Sequence, residues 1–193
     1  MVSEHSSHSL TDGGVKMSYL SYFETDGELI LKGNSIAVGI SDEGSFGTTA
    51  DISYPTDVGE AVTDDAFSSS IGVGLTYDAD TFGAGSDIVI DFFLPGSPEE
   101  RWSIFYESGG VEYWGGYSTL SGVDVSDASM NLTDKVISDF SSGSFLSGEF
   151  TATAGDLDTT QVHSFNSEDL FFTSYVTLVN NAGGNLENVQ FMR

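Results

Sequence analysis

From Val15 onward, apolar and polar residues alternate in short runs that are rich in β-branched and aromatic side chains. Such alternation sends successive side chains to opposite faces of an extended chain, the pattern of a half-buried strand. It predicts strands over 15–23, 28–31, 35–40, 71–76, 87–93, 102–106, 111–117, 149–153, 161–165, 170–179 and 186–192. Glycine and aspartate punctuate these runs. Asp26-Gly27 reads as a hairpin turn, because both residues tolerate positive φ, and Gly109-Gly110 and the stretch 180–184 read as two more. On this reading 171–192 is one strong hairpin. Helical signals are confined to Ser97-Pro98-Glu99-Glu100, where a cap, a proline and two acids suit a turn or two before Trp102. Residues 134–140 fit a strand or a short helix equally. Residues 1–14 are polar and read as a flexible N-terminal segment.

Strands at this spacing predict an all-β fold: a large antiparallel β-sandwich with at most one or two short helical turns. The length of 193 residues suits a single domain, here 15–193. The last predicted strand stops abruptly at Arg193, so the domain is expected to be truncated or split at its C-terminal end. No run of about 18 apolar residues is present, so membrane insertion is not expected. Met1-Val2-Ser3-Glu4 lacks the basic and apolar regions of a signal peptide, which suits either a cytosolic protein or a piece of a larger exported one.

Charge changes the picture more than composition does. Five Lys and Arg stand against 30 Asp and Glu, a formal net charge of −25. A surface this acidic repels phosphate backbones and anionic lipid, which argues against nucleic acid as a partner. It attracts cations instead, either as a diffuse cloud or at specific sites. Asp outnumbers Glu by 18 to 12, and the aspartates lie beside Gly, Asn and Ser. Short carboxylates next to turn residues are the raw material of Ca²⁺-binding loops, although aspartate is also an ordinary turn residue. The absence of cysteine excludes disulfides, thiolate zinc sites and a cysteine nucleophile.

The best candidate cation loop is Tyr77-Asp78-Ala79-Asp80, followed by Gly83, Gly85 and Asp87. Its D-x-D spacing aims two carboxylates to one side of an extended turn, and the glycines let backbone carbonyls join them. Asp156 and Asp158 repeat the spacing after Gly155, and Asp124 with Asp127 form a wider pair. Asp42-Glu43 and the cluster Asp57, Glu60, Asp64 and Asp65 are further acidic loops. A solvated turn accounts for each of them as well. Arg101 lies between Glu100 and Trp102, and a guanidinium beside an indole suits clamping a carboxylate or stacking on a sugar. On an extended strand Tyr113 and Tyr117 face one side while Glu112 and Trp114 face the other, an arrangement that core packing also explains. His163 sits within a strand pattern and reads as structural or surface. His5 and His8 lie in the N-terminal segment. Hydrolase elbows, zinc-protease helices, phosphate loops and dinucleotide fingerprints are all missing, so an enzyme is not expected.

Four stretches together resemble a known family: 33–40 with Asp42-Glu43-Gly44-Ser45-Phe46-Gly47; Pro95-Gly96-Ser97-Pro98-Glu99-Glu100-Arg101-Trp102; 77–80; and 176–181 leading to Val189-Gln190-Phe191-Met192-Arg193. They resemble the peptide-binding type of β-sandwich found in very large calcium-dependent repeats-in-toxin adhesins of aquatic Gram-negative bacteria. The resemblance implies a non-enzymatic module that mediates attachment to cells or surfaces, exported to the cell surface as part of a longer protein by a distant C-terminal signal. It implies a monomer within a multidomain chain, stiffened by several Ca²⁺ ions. The ligand it implies is the free C-terminus of a partner protein, its carboxylate held by calcium; a glycan is the other ligand class kept open. The expected calcium ligands are Asp78, Asp80 and Asp87 first, then Asp156 and Asp158, then Asp124 and Asp127, with Arg101 and Trp102 as ligand contacts. Two other readings stay open: a carbohydrate-active enzyme or its sugar-binding accessory, and a calcium-bearing spacer of the same adhesin with no ligand of its own.

Overall fold

The computed structural model describes residues 6–12, 15–23, 27–48, 74–78, 89–92, 100–118 and 130–193. Within them lie thirteen strands and no helix. Strands β1 (Ser6–Asp12), β2 (Val15–Phe23), β3 (Leu29–Lys32), β4 (Ile36–Ile40), β5 (Leu75–Asp78) and β6 (Val89–Asp91) make a six-stranded antiparallel sheet in chain order. Strands β9 (Leu132–Asp139), β10 (Phe145–Ala154), β11 (Leu157–Asn166) and β12 (Thr173–Asn180) make a second antiparallel sheet, again in chain order. The third sheet is smaller and not sequential: β7 (Arg101–Ser108) lies between β8 (Val111–Ser118) and β13 (Glu187–Met192). The expected all-β class holds, as three antiparallel sheets with sandwich-like packing.

Local chemistry explains most of the boundaries. The β7–β8 hairpin turns on Gly109 and Gly110, whose φ values of 58° and 78° match the two-residue turn that follows the natural twist of paired strands. Of residues 134–140, open between strand and helix in sequence, all but Phe140 fall in strand β9. Its partner β10 shows a register shift between Thr151 and Thr153, and the extra residues include Asp134 at φ 53°. Such a bulge breaks the clean alternation that would have marked the strand.

Two expectations are corrected. Ser6–Asp12 is not an irregular end but β1, paired along its whole length with β2. The proposed hairpin over 171–192 does not form: β12 pairs with β11, whereas β13 crosses to the edge of the third sheet and pairs with β7. Asn180 to Gly184 has the chemistry of a turn, and the chain does bend there, with the Asn180 side-chain amide donating to the Gly184 carbonyl at 3.1 Å. Turn residues specify a change of direction, not which neighbour the next strand chooses. The helical turn expected at 97–99 lies outside the described residues.

The core lies between the sheets. On β7 every second residue, Trp102, Ile104 and Tyr106, is buried, as are Leu146, Phe150, Ala152 and Ala154 of β10 and Leu157 and Phe165 of β11. Leu29, Leu31, Val38 and Ile40 come from β3 and β4. A close approach occurs at Gly148, where a Cβ would lie 2.7 Å from both Ile40 Cδ1 and Leu29 Cδ2. A side chain there would displace the ends of the Ile40 and Leu29 side chains. Trp102 joins all the layers: its ring is stacked on Phe191 at 5.9 Å, meets Phe150 edge-on at 5.9 Å, and its Nε1 donates to the Glu43 carbonyl at 2.9 Å. Burying one such aromatic contributes about 1.5–3 kcal/mol.

Candidate functional site

The most organised polar group in the described residues is buried and was not singled out from sequence. Strand β11 alternates strictly, which turns Leu157, Thr159, Gln161, His163 and Phe165 into the core. Three of those five are polar. Opposite them, Met192 pairs with Ser103 and Phe191 with Ile104, so continuing the register brings Arg193 beside Trp102. The Arg193 backbone is exposed, yet its side chain retains only 16% of its surface. Its Nε lies 2.8 Å from Glu100 Oε1, its guanidinium carbon sits 3.7 Å over the Phe46 ring, and Nη2 donates to the Gly44 carbonyl at 3.2 Å. Nη1 donates to Gln161 Oε1 and faces His163 Nε2 at 3.5 Å. The second oxygen of Glu100 accepts the Phe46 amide at 2.7 Å.

The electrostatics follow from burial and from this single ion pair. Burial pushes the Glu100 carboxyl up, against the opposing pull of Arg193 and of the Phe46 amide. Burial also lowers the Arg193 guanidinium from its ordinary value, against the pull of Glu100, but arginine stays charged in any accessible range. His163 falls to about 3, first because it is desolvated and second because Arg193 faces it. It is therefore neutral near pH 7. Since arginine only donates, Nε2 is the acceptor, and Nδ1 carries the proton that Ser174 Oγ receives at 2.8 Å. Phe46 and Phe172 pack against the imidazole at 4.8 and 6.4 Å. Gln161 Nε2 and Thr159 Oγ1 are buried with no partner among the described residues. This network clamps β13, the 41–48 loop and β11 together. Apart from Gln161 Nε2 and Thr159 Oγ1, its polar groups are occupied with one another, so its chemistry is cohesion.

The sequence-predicted site residues are dispersed. Asp80, Asp87, Asp124 and Asp127 lie outside the described residues, as does the cluster 57–65. Asp78 closes β5 opposite Val89. Asp156 is exposed in the β10–β11 turn, its amide donating to Tyr106 Oη at 3.0 Å and its carbonyl accepting from Asn181 at 2.8 Å. Asp158 is held below the usual carboxylate range by hydrogen bonds from Asn181 and then Thr153, the latter 2.8 Å long. Its oxygens thus already serve as a clasp between β11, β10 and the 181 turn. Among the described residues no three His, Asp or Glu converge as metal ligands. Asp156 and Asp158 alone therefore make a poor fit to a closed calcium cage, which wants six or more oxygens.

Arg101 and Trp102 part company because they are neighbours on a strand. Arg101 is exposed, whereas Trp102 is fully buried, so its indole packs the core and offers no surface to a ligand. The expected split of β8 is present: Tyr113 stacks on buried Tyr106 at 5.2 Å, while Trp114 lies on the other face, directly across from Phe105. The signal for Glu100 and Arg193 was available only in outline. Glu100 precedes the alternating strand from Trp102 and Arg193 follows the apolar end of β13, but nothing local says that they meet. No family model, curated protein or solved structure matches the chain.

Proposed function

We propose that this chain is a calcium-stiffened, non-enzymatic ligand-binding module of a large bacterial surface adhesin, of the repeats-in-toxin kind that its motifs resemble. The observation that carries the reading is where the chain places its few cations. Of the five Lys and Arg, Arg193 is paired with Glu100, Lys135 with Glu43, and Lys32 is buried. These three cations are drawn inward or paired, while Asp42, Glu112, Asp134, Asp156, Glu168 and Glu187 are exposed among the described residues. Such a surface calls for cations from solution, and Asp-rich loops bind divalent ions better than sodium. The calcium ligands in this reading are Asp78, Asp80 and Asp87, with Asp124 and Asp127 as a second group. Exposed Arg101 is the ligand contact, suited to a peptide carboxylate. The module works at the cell surface, as one part of a longer chain.

A glycan is the second ligand class, favoured by half-buried Phe105 and Trp114, which sit directly across from each other on β7 and β8, since aromatic side chains suit stacking on a sugar. The deciding experiment has two stages. Calcium titration by calorimetry and thermal unfolding tests the ions. Free-C-terminus peptides, amidated counterparts and glycans are then screened with CaCl₂ and with EDTA. Saturable, EDTA-sensitive binding supports the module; calcium stabilisation without any ligand leaves a passive spacer, and turnover of a polysaccharide makes it an enzyme.

A further inference from the structure

One end of the four-stranded sheet is apolar in a way that folding does not explain. The β9–β10 turn exposes Phe140 (58%) and Phe145 (43%), and the β11–β12 turn exposes Leu170 (63%) and Phe171 (64%). The two turns are neighbours, since the Ser167 amide donates to the Ser144 carbonyl at 2.8 Å. Tyr175, 71% exposed, follows on β12. Several large apolar side chains left together in water mark an interaction surface more often than a packing accident.

The turn that carries Leu170 and Phe171 is also rigid. Asp169 Oδ2 accepts the Asn166 amide at 2.8 Å and its side-chain amide at 3.1 Å, while the Asp169 amide donates back to the Asn166 carbonyl at 2.8 Å. Three residues after Asp169, Phe172 turns inward and meets Phe46 edge-on at 5.2 Å. Leu170 and Phe171 are thus held out between two anchored points, and a partner that meets them orders little further chain.

Charge selects the partner. Neither turn carries Lys or Arg, and three acids lie at this end of the sheet. Glu168 and Asp169 adjoin the exposed pair, and Asp139 precedes Phe140. A second copy would bring the same charge of −25 and be repelled. We infer that this end docks a cationic polypeptide segment whose aromatic or aliphatic anchors cover Phe140, Phe145, Leu170 and Phe171 while its Lys or Arg residues meet the surrounding acids. The surface needs no metal, so it stands whether or not the calcium reading does.

The test uses the full chain and three fluorescent synthetic peptides of one length: Leu/Phe anchors interleaved with Lys/Arg, the same anchors with Glu, and the basic peptide with Ser in place of each anchor. The first should bind, equally in CaCl₂ and in EDTA, and weaken by about tenfold or more between low and half-molar NaCl. The double variant Leu170→Ser/Phe171→Ser should lose about tenfold or more in affinity with an unchanged melting temperature. Phe140→Ser, on the neighbouring turn, repeats the test should the double variant fold poorly. No binding by the first peptide, equal binding by the acidic or Ser-substituted one, or undiminished binding by the variants overturns the inference. Concentration-dependent dimerisation abolished by the same variants overturns it in favour of a second copy.

Discussion

The guanidinium of Arg193 meets the carboxylate of Glu100 inside the protein, Nε to Oε1 at 2.8 Å, with the Phe46 ring 3.7 Å beneath it. The pair joins the start of β7 to the end of β13, so it locks the edge strand of the third sheet onto the core. Removing either partner leaves a buried charge without compensation. Arg193→Met or Glu100→Gln should therefore each cost about 3–5 kcal/mol, measured by urea unfolding. The double variant should lose markedly less than the sum. Additive losses would mean that the two side chains do not share an interaction.

His163 gives a pH dependence of definite sign. Its folded value, about 3, lies below the ordinary 6.5, so between those limits the unfolded chain binds the extra proton. Stability contributed by neutral His163 is complete above about pH 6.5 and drains away as the pH falls toward 3, by on the order of a few kcal/mol. Glu100 acts with the opposite sign, because burial raises its carboxyl and favours the protonated, folded form as the pH falls. The relief of surface acid repulsion also stabilises the fold on acidification. The His163 contribution is isolated by comparison: His163→Gln should show a flatter stability profile than the parent between pH 7 and 4.5 in denaturant titrations. Parallel profiles would remove His163 from the account.

Alternation made the strands legible, and topology hid the rest. Strand β2 spans the predicted 15–23, and the buried trio Trp102, Ile104 and Tyr106 follows from period two alone. Strand β1 was missed because Ser6-Ser7-His8-Ser9 has almost no apolar content to alternate. β13 was found but given the wrong neighbour, since its pairing with β7 depends on where a whole sheet lies. Once β13 is misplaced, Arg193 has no reason to approach Glu100, and the buried network cannot be seen. Gln161 and His163 were visible as strand residues, but which face was inward was not.

At Gly148 the second sheet packs closely on side chains of the first, so a methyl there is felt by both. Gly148→Ala should destabilise by about 1–3 kcal/mol, because the new Cβ overlaps the chain ends of Ile40 and Leu29 and both must shift. Gly183→Ala supplies the control: nothing lies within 4 Å of a Cβ at that position. Equal melting temperatures for the two variants would show that the sheets yield freely at Gly148.

Calcium is separable from the acidic surface by dose and by variant. One site at a calcium concentration about 100-fold above its Kd adds roughly 2.7 kcal/mol. For a domain of this size that raises the melting temperature by about 5–10 °C, and several sites raise it further. The shift should follow millimolar CaCl₂ after EDTA and should not follow NaCl of matched ionic strength. Screening of an acidic surface acts with any cation and grows smoothly toward molar salt. Asp158 distinguishes the loops from one another. Its carboxylate already accepts hydrogen bonds from Asn181 and Thr153, so Asp158→Ala should lower the melting temperature with and without calcium alike. Asp78→Ala and Asp80→Ala should instead leave the EDTA value unchanged and reduce the calcium increment. A response to molar salt alone, with the Asp78 and Asp80 variants behaving as the parent does, would remove specific calcium from the function.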